Sequence, residues 1–295
     1  MSRVLIGVRL APQGVEWPTL DATWELAGSL PVIDSLWMND HLSDPGRERG
    51  GASMEPVTLA AALAHRVPGK VIGLAVLSNT FRHPAVLAKQ ATALDRITGG
   101  RFILGLGAGW HQGEHDAFGI PLPPIGERVA RLESAVGVVR ALGSAEAAIE
   151  PGVTLDDPYY PLRGALNLPP PITPGGPPIW LGGQRPRGLR LAARLADGWV
   201  LPVAEGVGVE AFHEVRETIL RELEDAGRDP ATFTFAGQVP TGRTAPERAT
   251  ALEVAGRFVA AGAGQIILGM PASLGPAGLA AVARDVAEPL RDAIG

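Results

Sequence analysis

An eight-stranded parallel α/β barrel, a (β/α)8 TIM barrel, with an insertion between its fourth helix and fifth strand is the fold the sequence predicts. Three observations carry the prediction. Short apolar runs alternate with longer stretches of helical period along the whole chain, which implies parallel strands joined by right-handed crossovers. The strand count reaches eight, the number at which such a sheet closes on itself. The 295 residues suit one barrel of about 250 residues with something added. We therefore expect a single domain over 1–295.

The elements follow in order. Strands are expected at Val4 to Leu10, Val32 to Met38, Lys70 to Leu77 and Arg101 to Leu106, each followed by a helix: Leu20 to Ser29, Val57 to His65, Pro84 to Ile97 and Gly126 to Leu142. Pro84 suits a first helical position, where its missing N–H costs nothing, and Gly99-Gly100 supplies a left-handed stop. The stretch 143–177 breaks the rhythm, with eight prolines, five glycines and no helical period, so it reads as a Pro/Gly-rich insertion and a lid. It holds the chain's only tyrosines, Tyr159 and Tyr160, which we assign to covering the substrate. The barrel resumes with strands at Pro178 to Gly182, Gly198 to Pro202, Thr232 to Val239 and Gly264 to Gly269. Helices follow at Arg187 to Leu195, Val209 to Asp225, Pro246 to Ala261 and beyond Leu274.

Composition removes several classes of function. A net charge of -5 with scattered basic residues leaves no electrostatic footprint for nucleic acid. The absence of cysteine excludes disulfides, thiolate metal sites, iron–sulfur ligation and a cysteine nucleophile. No apolar run approaches the roughly 20 residues of a membrane span, and the start Met-Ser-Arg-Val-Leu-Ile-Gly-Val lacks a signal-peptide pattern, so a cytoplasmic location is expected. Nearly all basic residues are arginine, which suggests a GC-rich bacterial genome.

A parallel barrel places its active site at the C-terminal ends of its strands, so the residues after each strand are the candidates. Asp40-His41 follows the second strand, and an imidazole there is the best acid/base group, because it titrates near neutrality without tuning. Gly105, Gly107 and Gly109 end the fourth strand and would let a flat ring or a substrate approach the backbone; their spacing is not that of a dinucleotide fingerprint. Gly182-Gly183-Gln184-Arg185 passes from strand to helix and suits a phosphate. His111-Gln-Gly-Glu114-His115 fits a zinc-peptidase pattern, although Gly113 weakens the helix it requires and no third ligand is evident; Glu114 alternatively reads as a helix N-terminal acid. There is no Gly-x-Ser-x-Gly elbow and no carboxylate pair placed for glycoside hydrolysis. Substrate choice falls to the insertion and to the late strands, including Gln238 and Met270.

Taken in order, several motifs resemble the bacterial luciferase-like superfamily, whose barrels use reduced FMN or the deazaflavin coenzyme F420. They are Asn39-Asp40-His41, Arg82-His83-Pro84, Leu94-Asp95-Arg96 through Gly99-Gly100-Arg101-Phe102, and Leu104-Gly105-Leu106-Gly107-Ala108-Gly109-Trp110. Further along come Glu114 with Phe118-Gly119-Ile120-Pro121, Pro177-Pro178-Ile179-Trp180-Leu181-Gly182-Gly183 and Ala196-Asp197-Gly198-Trp199. The resemblance implies a flavin or deazaflavin across the barrel mouth, held by Asp40, Ala75, Val76, Gly107, Gly109, Trp110, Gly182, Gly183, Gln184 and Arg185. It also implies a bulge with a non-prolyl cis peptide near Ala75-Val76, a base at His41 and no metal. Where some F420-dependent sugar-phosphate dehydrogenases carry a glutamate, this chain has Trp110, which speaks against that reaction. Light emission is set aside, since the cysteine of luciferases is missing. The expected function is hydride transfer between F420 and a small organic substrate. Its alternatives are an FMNH2-dependent monooxygenase fed by a flavin reductase, a zinc hydrolase using His111 and His115, and a non-catalytic binding barrel. A homodimer is expected from the resemblance alone.

Overall fold

The computed structural model describes residues 3–46, 51–203 and 208–295. Its first half contains β1 (Leu5–Leu10), α1 (Trp17–Ser29), β2 (Ser35–Met38), α2 (Pro56–Leu63), β3 (Val71–Ser78), α3 (Pro84–Thr98), β4 (Phe102–Gly107), α4 (Gln112–Phe118) and α5 (Ile125–Gly143). A hairpin follows, β5 (Val153–Leu155) with β6 (Leu162–Ala165). The second half contains β7 (Ile179–Gly182), α6 (Pro186–Leu195), β8 (Gly198–Val200), α7 (Val209–Asp225), β9 (Thr234–Pro240), α8 (Ala245–Ala260), β10 (Gln265–Met270), α9 (Gly275–Val282) and α10 (Glu288–Ile294). The strands other than the hairpin close into a parallel barrel in the order β1-β10-β9-β8-β7-β4-β3-β2. Every barrel strand coincides with an expected one to within about three residues, as is usual where hydrophobic pattern is strong. Among the described residues no helix is long and apolar enough to cross a membrane.

Two elements were not expected from the sequence. Helix α4 forms despite Gly113 because its ends are well closed: the His111 side chain accepts from Glu114 N at 3.1 Å, and Gly119 ends it at φ 66°. The insertion contains the antiparallel β5–β6 hairpin, whose strands of three and four residues, with a register shift between Val153 and Leu155, are too short to show a period in the sequence.

The barrel interior is plugged by stacked tryptophans. Trp37 from β2 and Trp180 from β7 lie 5.1 Å apart between ring centres at 29°, among Ala75, Val200, Ala236 and Ile267. Bare backbone makes room for them: a Cβ on Gly73 would lie 2.1 Å from the Trp37 ring, and one on Gly198 2.7 Å from Trp180 Nε1. The plug fills the lower barrel, so ligand space is confined to the mouth above it.

The insertion is fastened to the outer wall formed by α3 and α5. Asn167 donates to Thr92 Oγ1 at 2.9 Å and to the Leu142 carbonyl at 2.7 Å, and Lys89 donates to the Leu168 carbonyl. Asp95, fully buried, accepts from Ile172 N (2.7 Å), Thr173 N (2.9 Å) and the Thr173 hydroxyl (2.6 Å). Its returning limb thus descends along α3, whereas its tip climbs to the start of that helix, where Tyr160 packs edge-on against His83 at 5.3 Å. Only this tip reaches the rim of the mouth. Asp95→Ala leaves three donors unmatched and is expected to cost about 2–3 kcal/mol. Urea unfolding checks this, and a loss below about 0.5 kcal/mol would show that the strap is held by packing alone.

Candidate active site

Four strand ends build the mouth. After β2, Asp40 and His41 lie side by side but do different work. The Asp40 carboxylate accepts from Ser78 N at 2.8 Å and from both terminal nitrogens of Arg82, at 2.6 and 2.9 Å. Its side chain is fully buried, so no ligand in the mouth reaches it in this arrangement. This corrects the cofactor contact expected of it: Asp40 ties the end of β2 to β3 and to the start of α3. Arg82 also pairs with Glu55 at 2.5 Å, and Glu55 caps α2 through Val57 N and Thr58 N. Burial alone would raise the Glu55 carboxyl, but the Thr58 and Arg82 hydrogen bonds outweigh it and hold the group below the usual carboxylate range.

His41 turns the other way. Its Nδ1 lies 2.8 Å from Glu114 Oε2, while Glu114 Oε1 accepts from Leu42 N (2.7 Å) and Ser43 N (3.0 Å). Glu114 is 1% exposed. A carboxylate only accepts, so Nδ1 carries the proton and Nε2 is the nitrogen left to exchange one. Trp110 stands edge-on to the His41 ring at 6.0 Å and is 67% exposed on the rim. Sequence reasoning treated Glu114 as a helix acid. Its role depends on α4 docking beside the β2 end, a contact no local pattern announces.

At the end of β3 the register slips between Leu74 and Leu77, and the Ala75-Val76 peptide is cis, as the resemblance implied. The bulge pushes Val76 over the neighbouring strands. A Cβ on Gly107 would lie 2.8 Å from Val76 Cγ2, and one on Gly182 3.3 Å from Val76 Cγ1. Gly109 (φ 81°) is similarly hemmed in by Thr80 and Ser78, 2.5 and 2.7 Å from its ideal Cβ. At Gly107 and Gly109 packing alone therefore excludes a Cβ. They make room for the bulge and for a hydroxyl chain, and the ledge presented upward is Val76 itself. In that chain His115 Nδ1 donates to the His111 carbonyl (2.8 Å), so its Nε2 accepts from Thr80, whose oxygen in turn accepts from Ser78.

The same bonds dispose of zinc. His115 uses both ring nitrogens, and His111 Nδ1 is taken by Glu114 N. Among the described residues no group of three or more metal-ligating side chains is gathered.

After β7, Gly183 has φ 119° and nothing within 4 Å of where a Cβ would sit, so this turn is open to a ligand in a way the β4 glycines are not. Trp199 Nε1 pins it by donating to the Gly183 carbonyl at 2.7 Å. Arg185 is exposed at the N-cap of α6, whose first position is Pro186, leaving the amides of Arg187 and Gly188 at the helix start. Three buried polar atoms around the mouth have no protein partner: Asn39 Oδ1 after β2, Asn79 Oδ1 after β3 and Gln184 Nε2 after β7. Buried polar atoms are rarely left so, and these three lie just after strands that end at the mouth. Tyr159 and Tyr160 stand at the rim beneath Arg131, which lies 4.9 Å over the Tyr159 ring. Gln238 faces inward, 2.6 Å from Arg9. Met270 packs with Leu268 and Ile266 in the helix-facing core, so its expected part in substrate choice is set aside.

The mouth of this (β/α)8 barrel thus brings an open glycine turn after β7 together with a carboxylate-held histidine after β2. Residues 32–289 match the luciferase-like monooxygenase family, and the chain belongs to it. The chain is 33% identical over 256 residues to the phthiodiolone/phenolphthiodiolone dimycocerosates ketoreductase of Mycobacterium tuberculosis, covering 80% of this chain and 65% of that one. It is 34% identical over 206 residues to the F420-dependent glucose-6-phosphate dehydrogenase of Beutenbergia cavernae, covering 68% and 56%. The chain thus matches under two thirds of the length of these relatives. In fold it superposes on an F420-dependent secondary alcohol dehydrogenase with a TM-score of 0.81 at 18% identity, covering 96% and 98%. It also superposes on the monooxygenase RslO1 of Streptomyces bottropensis with a TM-score of 0.79 at 20% identity, covering 99% and 100%.

Proposed function

We propose that this protein is an F420-dependent oxidoreductase that interconverts a carbonyl and an alcohol on a small organic substrate. The carrying observation is the His41–Glu114 pair, 2.8 Å apart, at the C-terminal mouth of the barrel. Reducing a carbonyl needs a hydride at carbon and a proton at oxygen. Bound in the mouth, the deazaflavin supplies or accepts the hydride. In the reduction direction His41 starts as the imidazolium and gives its Nε2 proton to the carbonyl oxygen; in the oxidation direction neutral Nε2 takes the alcohol proton, and in both the Glu114 carboxylate holds Nδ1–H and balances the imidazolium. Asn39, Asn79 and Gln184 would offer the ring hydrogen bonds, Val76 would support it, and the Gly182-Gly183-Gln184-Arg185 turn would take a phosphate. Trp110 and the Tyr159-Tyr160 tip cover the substrate and thin out the water around it. Ketoreductase and dehydrogenase relatives support this direction of chemistry over oxygen insertion.

The test is a pair of titrations, one with F420 and one with FMN, followed by tryptophan fluorescence. Saturable binding of F420, with oxidation of reduced F420 when ketones are added, is the expected result. Saturable FMN binding with no F420 affinity overturns the proposal and moves the protein to the oxygenase branch.

A further inference from the structure

On β1, across the barrel from β7, and with a partner on β9, lies a cationic group that the proton-transfer reading does not use. Arg9 is two residues beyond Gly7, whose Cβ position points at the Trp37 plug, so the strand alternation aims Arg9 inward one layer higher, at the mouth. Its NH1 donates to Gln238 Oε1 at 2.6 Å, and Gln238 is itself oriented by donating Nε2 to the Leu201 carbonyl at 2.8 Å. Gly269, its partner on β10, gives it clearance: a Cβ there would sit 3.0 Å from Arg9 NH2. Among the described residues no carboxylate is within ion-pair distance of Arg9, and Gln238 is its one hydrogen-bonded partner. Arg82, Arg248 and Arg291 by contrast each pair with an acid, Asp40, Asp285 and Asp34 respectively, whereas Arg9 meets only an amide. Burial without such a partner pushes Arg9 down to about 10, so it remains a cation at neutral pH.

We infer that Arg9, held by Gln238, is the anchor for a carboxylate on the substrate, making the substrate an acid that also carries the reacting carbonyl or alcohol. An enclosed cation without a counter-charge is costly, and a ligand that brings the missing charge recovers that cost on binding. A neutral oxygen would leave the charge uncompensated. With NH1 committed to Gln238, the rest of the guanidinium edge matches the two oxygens of a planar carboxylate. The placement fits the chemistry, because β1 adjoins β2, which carries His41, and stands opposite the β7 turn assigned to the cofactor phosphate. One substrate can then reach Arg9 with its acid end and His41 with its reacting end. This inference rests on the mouth being the substrate site, as proposed above.

The test uses benzoate and its neutral isostere benzamide as probes, measured by calorimetry on the protein with and without F420. Benzoate is expected to bind about tenfold tighter or more, the usual margin of a charge-assisted hydrogen bond in an enclosed site. In Arg9→Met that preference is expected to vanish while F420 affinity holds, and in Arg9→Lys it is expected to persist in weakened form. Equal binding of the two probes to the unsubstituted protein overturns the inference whether or not either variant folds. A preference that survives in Arg9→Met overturns it as well, since the acid would then sit elsewhere. Failure of F420 to bind would sink the functional proposal alone, because the benzoate comparison on the unloaded protein still decides the role of Arg9.

Discussion

His41→Ala is expected to lower turnover by about 10²–10⁴-fold with cofactor affinity nearly unchanged, the range that a positioned proton donor contributes. The side chain touches no core cluster, and its one hydrogen-bonded contact, Glu114, retains the Leu42 and Ser43 amides, so the fold should tolerate the loss. Added imidazole should restore part of the rate in this variant by entering the vacated space beside Glu114. A purely structural histidine would give no such rescue, and a variant with ordinary turnover would remove His41 from the mechanism. Glu114→Gln makes a different prediction. The amide can present its NH2 to Nδ1 and reverse the tautomer, moving the proton to the wrong nitrogen, so kcat should fall while KM holds. Because Glu114 acts through His41, combining both substitutions should cost little more than His41→Ala alone.

Much of this was legible in the sequence, and the failures share a cause. The barrel strands were readable because each is a short apolar run between turn residues, a signal carried by neighbours in the chain. The place of His41 just after a strand and the glycine turn after β7 were readable in the same way. What escaped depends on contacts between distant segments. Asp40 looked available until Arg82, 42 residues away, was seen to occupy both its oxygens. Glu114 became a partner of His41 only because α4 docks 73 residues along the chain from it. Arg9 lies in a run, Leu5–Leu10, that reads as plain buried strand, and only the closure of β1 against β10 reveals a charge facing the mouth. The β4 glycines were recognised as special, but the reason for them, a bulge on the adjacent strand, is a property of two strands together.

Gly105→Ala is expected to be the most damaging single methyl that could be added to this protein near its site. An ideal Cβ at Gly105 would fall 2.0 Å from the carbonyl oxygen of Leu74, 3.1 Å from its carbonyl carbon and 3.2 Å from Val76 Cγ1. The first two are backbone atoms of β3 where the strand bulges, and they cannot rotate away as a side chain can. The added methyl must push β4 off β3, the pair that forms the ledge, at a cost of about 3 kcal/mol or more, the upper end for overpacking. Gly107→Ala provides the control, since its obstacle is the Val76 side chain at 2.8 Å. That variant should lose about 1–3 kcal/mol and recover much of it when Val76 is also made alanine. Gly105→Ala should not recover with the same second substitution, because the carbonyl of Leu74 stays where it is. Urea unfolding of the four variants separates the two cases, and full rescue of Gly105→Ala by Val76→Ala would show that the bulge backbone is free to move. Cofactor affinity should track the ledge in the same order, nearly lost in Gly105→Ala and weakened in Gly107→Ala, which links the packing of two strands directly to what the mouth can hold.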